Sequence, residues 1–251
     1  SDPAPGSAVN AADITLSGYV HFQDTAGSGQ VEVLVDGVSQ GFATLADASA
    51  QATSWSKAVS LDGDGSHTLT LRAGRSAGTS AAADSTATLL LDTTGPAITF
   101  TPPTGTITRT VTLEGSSNDA DSGLASVGVS LDGGHTYSDA TVNNSGDWTF
   151  DWSPDLGNDY AGFPLRVRAL DSAGNATVDS ATLVVDNLGP TPISLASASP
   201  QEGSHIDAPA TVQLDWLPST DGSGVDDVYA AVDQITGTVP AQTSLIAGTS
   251  Y

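Results

Sequence analysis

The stretch LLLDTTGPAITF, residues 89–100, decides the fold. Three leucines read as the end of a buried strand. Asp92, two threonines and Gly95-Pro96 then stop the pattern, and a new apolar alternation starts at Ile98. The same grammar returns 94 positions later as LVVDNLGPTPISL, from Leu183 to Leu195. In this reading the Asp caps free amides at the strand end, Gly permits the turn, and Pro fixes φ and interrupts the ladder. A chain that writes strand, acidic stop, Gly-Pro and strand twice at such a spacing is joining stacked modules.

The rest of the chain repeats at a similar shift. VEVLVDG at 31–37 realigns with VGVSLDGG at 127–134, so that Asp36 falls on Asp132, 96 positions on. LTLRAGRSAGT at 69–79 realigns with LRVRALDSAGN at 165–175 by the same 96, Arg72 falling on Arg168. A third copy starts after Pro190, where Ser122 falls on Ser223 and Asp132 on Asp233, 101 positions on. Each copy reads as β: ITLSGYVHF, VEVLVDG, KAVSLDG, HTLTLRA and TATLLLD alternate at period two between Gly, Asp and Ser. No window carries capped helical spacing. About seven short strands in roughly 95 residues predict an all-β antiparallel sandwich per copy. Trp55, Trp148 and Trp152 are the expected core anchors.

Composition narrows the function classes. Lys and Arg total 6 against 29 Asp plus Glu, a net charge of −23, which excludes a nucleic-acid partner and disfavours an anionic membrane surface. No apolar run approaches the ~18 residues of a membrane span. Cysteine is absent, so disulfides, thiolate metal sites and cysteine nucleophiles are excluded. Met is absent too and no signal peptide opens the chain, from which we expect a numbering that starts inside a longer precursor. The acids are 26 Asp and only 3 Glu, which places them in loops and turns; general surface acidity is the alternative cause.

No catalytic constellation is present. The four histidines (His21, His67, His135, His205) are scattered, and no H-x-x-x-H pair, nucleophile elbow, P-loop or dinucleotide fingerprint occurs. His67 falls in the slot that Phe163 holds in the second copy, so it is read as packed framework. The chain is therefore expected not to be an enzyme.

The D-x-x-G-P ending, the VDG or LDGG hairpin and the late R-A-x-D-S-A-G-N loop resemble tandem bacterial immunoglobulin-like repeats of large surface and adhesin-like proteins. The third copy, with VQLDWLPSTDGSGV, is similar to a fibronectin type III-like variant. The resemblance implies tandem Ig-like sandwiches at 1–92 and 93–188 and an incomplete one at 189–251. It implies an extracellular, cell-surface spacer, stalk, lattice or filament component. Its partners would be neighbouring Ig-like repeats in the same chain or in adjacent subunits. A carbohydrate- or protein-binding accessory module, meeting surface glycans or proteins, is the alternative.

In an Ig-like topology the B–C and F–G loops meet the entering strand at one end of the sandwich. Asp119 and Asp121 belong to the B–C loop of copy two, Asp171 and Asn175 to its F–G loop, and Asp92 arrives from the joint. Carboxylates on loops suit Ca2+, a hard cation that takes several oxygen ligands. The second joint offers Asp186, Asp221 and Asp226. In copy one the position of Asp171 is Arg75, so its outer end lacks that acid. The alternative is that D-S-A-G-N is simply a turn. Asn143 and Asn175 open glycosylation sequons, N-N-S and N-A-T. The third copy stops short of two closing strands. Either the chain continues, or a neighbour's strand completes the sheet near Val228–Val232.

Overall fold

The computed structural model of the chain describes residues 2–23, 26–76, 83–154, 157–199, 213–217, 219–221 and 225. No helix occurs among the described residues. Val228–Val232 and Asp226 lie outside them. The chain clusters into two units: residues 1–102, 112–152 and 164–182 form the first, and 103–111, 153–163 and 183–251 the second.

The first unit opens with β1 (Ala8–Val9), β2 (Asp13–His21), β3 (Gly29–Val35), β4 (Val38–Phe42), β5 (Thr44–Leu45), β6 (Ala52–Ser60), β7 (Gly65–Arg75) and β8 (Ala83–Leu91). They form two sheets, in the orders β1-β8-β7-β3-β4 and β2-β6-β5. Period-two alternation does the sorting: Val31, Val33 and Val35 of β3 are buried while their neighbours are not. Leu16, Trp55, Leu89 and Leu91 join them in one core. Each such side chain contributes about 1.5–3 kcal/mol by leaving water.

The next strands are β9 (Ala97–Phe100), β10 (Thr106–Ile107), β11 (Val111–Asn118), β12 (Leu124–Ser130), β13 (Ser138–Asp139), β14 (Thr141–Val142), β15 (Asp147–Trp152), β16 (Tyr160–Asp171) and β17 (Ala176–Val185). Their sheets run β10-β17-β16-β12-β13 and β14-β15-β11-β9. Leu113, Val127, Val129, Trp148, Leu165 and Val167 are fully buried, and Trp152 is 4% exposed. All three expected tryptophan anchors are thus in the interior. The copies also share a parallel pairing: β1 runs beside β8, and β10 beside β17. In the second unit β18 (Ser194–Ser199) pairs antiparallel with β19 (Gln213–Leu217).

The repeated hairpin letters close in two ways. Asp36 and Gly37 both have positive φ, 50° and 80°, and make a two-residue turn with Val35 opposite Val38. In LDGG, Asp132 instead accepts hydrogen bonds from Ser130 Oγ, the amides of His135 and Thr136, and Thr136 Oγ1. Those bonds, led by Thr136, hold its carboxyl well below the usual range.

A glycine–tryptophan pair recurs where no repeat alignment of hydrophobic letters would find it. Gly18 lies directly opposite Trp55, and a Cβ there would stand 3.0 Å from the indole. Gly115 is the counterpart: its Cβ would meet Trp148 at 2.8 Å and the Thr99 carbonyl at 2.0 Å. Gly115→Ala should therefore destabilise by about 1–3 kcal/mol, and Gly18→Ala by less, because backbone cannot give way as a ring can. Urea denaturation of both variants checks the order.

His67 is 6% exposed, with Nδ1 2.7 Å from Asp36 Oδ2 and Nε2 2.9 Å from the Gly63 carbonyl. Burial alone would lower its pKa, but the bonds to Asp36 and Gly63 and the charges of Asp36 and Asp62 raise it above the ordinary value. Both ring nitrogens face acceptors, so the imidazolium is the form that fits. A raised pKa contributes stability that is complete below the unfolded value, about 6.5, and is lost as pH rises through the folded value. Melting temperature should therefore fall across that window on the alkaline side, and His67→Phe, the residue copy two uses, should flatten the dependence.

Candidate metal centres at the joints

The first joint follows β8. Asp92 has no exposed surface, yet both of its carboxylate oxygens are hydrogen-bonded: Oδ1 accepts the Thr94 amide at 3.1 Å and Oδ2 the Ser122 amide at 3.1 Å. Burial pushes its pKa up, but the bonds from Ser122 and Thr94 outweigh that and the net shift is downward. The carboxylate thus reaches from the end of β8 to the loop after β11.

Asp171, 3% exposed, closes the loop after β16 through Oδ1, which accepts the amides of Gly174 and Asn175. Asn175 then turns its amide nitrogen back into the joint. Nδ2 lies 2.8 Å from the Asp92 carbonyl, 3.1 Å from that of Thr94 and 2.8 Å from Asp171 Oδ2. Asp119 accepts the amides of Asp121 and Gly123 and so shapes the loop between β11 and β12.

Carboxylate oxygens of Asp92, Asp119 and Asp171 lie within 4.8 Å of one another. Three separated stretches of sequence are thus brought to one point. Asp121 stands outside this trio and enters through its backbone amide. Asn175 contributes a donor nitrogen rather than an oxygen. These three carboxylates are the groups that could hold a hard divalent cation, since their oxygens have lone-pair capacity beyond their N–H partners.

At the second joint, in the second unit, the trio is Asp159, Asp186 and Asp221, again within 4.8 Å. Asp186 is 9% exposed, and Asp159 Oδ1 accepts the amides of Asn187 and Leu188, each at 2.9 Å. Asp226 lies outside the described residues. Asp159 was not singled out from the sequence. The signal was present, because it falls on Asp64, 95 positions earlier, just before β7. Asp64 makes the corresponding contact at the first joint, accepting the Thr93 amide at 3.1 Å and the hydroxyls of Thr93 and Thr94.

The sequon nitrogens are both hydrogen-bonded. Asn143 Nδ2 donates to Asp147 at 3.1 Å while its Oδ1 closes the turn to Ser145, and Asn175 Nδ2 is held as described.

All-β Ig-like sandwiches, following one another in the chain through short acidic linkers, are the class this fold defines. Residues 102–187 match the family model of the bacterial Ig-like domain. No curated protein matches the chain in sequence. Among solved structures, the fibronectin(III)-like modules of Clostridium thermocellum CbhA are similar at 18% identity and a TM-score of 0.49, over 73% of this chain and 91% of that one. A 1.5-MDa bacterial ice-binding adhesin is similar at 24% identity and a TM-score of 0.37, over 77% and 65%. A tetra-tandem repeat from the extending region of a large adhesion protein matches at 23% and 0.32, over 76% and 51%.

Asn175→Ala removes the donor that ties Asp171 to two linker carbonyls and leaves those acceptors unpaired. A loss of about 1–3 kcal/mol in urea denaturation is expected, against a near-neutral effect for Asn143→Ala in the exposed turn.

Proposed function

We propose that the chain is a non-catalytic structural segment of an extracellular cell-surface protein. In this reading Ig-like modules at 1–92, 93–188 and 189–251 stand in series as a spacer or stalk, or as part of a surface lattice or filament. The observation that carries it is the first joint. Its linker is bonded at Asp92, Thr93 and Thr94 to loops on either side of it, by Asp64, Ser122 and Asn175. A linker held from both sides suits a part that transmits position rather than one that catalyses. Among the described residues no helix is long and apolar enough to cross a membrane.

Calcium belongs to the same proposal. Asp92, Asp119 and Asp171 at one joint, and Asp159, Asp186 and Asp221 at the other, are the residues that would hold it. Bound there, Ca2+ would neutralise crowded carboxylates and stiffen the linkers. Millimolar Ca2+ should raise the melting temperature and shift the small-angle scattering profile relative to chelator, and Asp119→Asn with Asp171→Asn should cut both effects by half or more. Identical melts and profiles in calcium and chelator would leave the joints as hydrogen-bonded turns.

A second reading, a carbohydrate-binding accessory module, rests on a hollow on the outer face of β2-β6-β5. Ser17, Thr44, Ser54, Ser56 and Asp2 line it, and Tyr19, 72% exposed, stands on the same face. Binding on a glycan array that Tyr19→Ala abolishes would favour it.

A further inference from the structure

The short loop between β6 and β7 is held from two sides. It runs from Asp62 to Gly65, after buried Leu61, whose amide donates to the Ala12 carbonyl. Gly63 and Gly65 both have positive φ, 82° and 131°, so its backbone turns at positions that glycine adopts readily. On one side the Gly63 carbonyl lies 2.9 Å from His67 Nε2. On the other, Asp64 reaches the linker after β8. Its Oδ1 accepts the Thr93 amide at 3.1 Å and the Thr93 hydroxyl at 3.0 Å. Its Oδ2 accepts the hydroxyls of Thr93 and Thr94 at 3.0 and 3.2 Å. Adjacent residues of one loop thus carry the bond to His67 and the bonds to the linker.

The second ring nitrogen decides which bond is vulnerable. Nδ1 lies 2.7 Å from Asp36 Oδ2, while Asp36 Oδ1 accepts the Thr68 amide at 2.7 Å and so keeps the carboxylate in place. An imidazolium donates to both acceptors. A neutral imidazole has one N–H, and the carboxylate, the stronger acceptor, keeps it. Nε2 then turns a lone pair on the Gly63 carbonyl. The charges that face the ring are Asp36 from the β3–β4 turn and Asp62 from the loop itself, and both favour the imidazolium. The strands beside β7 add none: β8 sets Leu89 opposite His67, and β3 ends in buried Val35.

We propose that the charge on His67 controls how firmly the first joint is held. Charged, the ring pins the Gly63 carbonyl and with it the adjacent Asp64, which grips Thr93 and Thr94. Neutral, it releases Gly63, and the two glycines let the loop and its carboxylate move while the sheets stay intact. The device belongs to copy one alone. In copy two Phe163 fills the slot of His67, and Asp159 holds its linker amides with no histidine at that position.

The test follows single amides of the full chain by hydrogen exchange in NMR, as protection factors, from about pH 6 to about pH 9. Chelator is present throughout, so calcium at the joints plays no part. Protection of the Thr93 amide should fall about tenfold or more with the midpoint of the His67 ring titration, while the core amides of β3 stay protected. Asp36→Asn keeps the turn, because Asn tolerates positive φ, and removes the charge that favours the imidazolium. The Thr93 transition must then move to lower pH together with that of the ring. In His67→Phe the Thr93 amide should be weakly protected at every pH. Constant Thr93 protection while the ring titrates overturns the proposal. So does a transition that keeps its midpoint in Asp36→Asn, or one shared equally by the core amides of β3, since the loosening would then be global.

Discussion

Everything at the first joint depends on one constraint: a carboxylate with no exposed surface must keep its charge satisfied. Burying an ionised group without partners costs more than any single contact in this fold returns. Asp92 meets the constraint with two amides, one two residues on and one thirty positions away at Ser122. The first bond turns the chain as β8 ends. The second ties the turn to the loop that precedes β12. The acidic stop in LLLDTTGP is therefore more than punctuation, because the residue that ends one strand also fixes where the next loop sits. Asn175 completes the arrangement from another loop, its nitrogen donating to the carbonyls of Asp92 and Thr94 and to Asp171 Oδ2.

The fold was legible because its signals are local. Alternation in VEVLVDG and PLRVRAL reports burial on one face, and Gly, Asp and Pro mark the turns, so strand identity follows from neighbours alone. The trio Asp92, Asp119 and Asp171 was legible for a different reason: the Ig-like order of loops says which of them share an end. Asp159 was missed because it belongs to the loop before β16, outside the pair of loops that such reasoning considers. Only its match with Asp64, a comparison of the two copies residue by residue, would have found it. The role of Asn175 as donor was equally hidden, since the letter N does not say which end of the amide faces the carboxylates. The glycine–tryptophan pair escaped because a glycine in a strand reads as a defect until its neighbour is known.

The copies show how far one framework tolerates different solutions. His67 and Phe163 fill one slot, the first with an ion pair to Asp36 and the second with an apolar ring. Asp64 binds one linker amide and the hydroxyls of both threonines, whereas Asp159 binds two linker amides and stands close to Asp186 and Asp221. What persists is the geometric task, which is to hold the chain as it leaves the last strand of a copy. The chemistry that performs it varies with the residues the linker supplies, TT in one case and NL in the other.

Turn closure also bears on the ratio of 26 aspartates to 3 glutamates. Asp92 accepts the amide of Thr94, Asp119 that of Asp121, and Asp47 that of Ser49, each two residues on; Asn143 does the same for Ser145. Such rings close on a side chain with one methylene, and a second methylene carries the carboxylate past the amide at an entropic cost. A surface made acidic for solvation alone would have no cause to prefer the shorter acid, since both carry the same charge. Turns closed in this way favour Asp over Glu at these positions, and each adds a negative charge to a chain with only 6 Lys and Arg to oppose it.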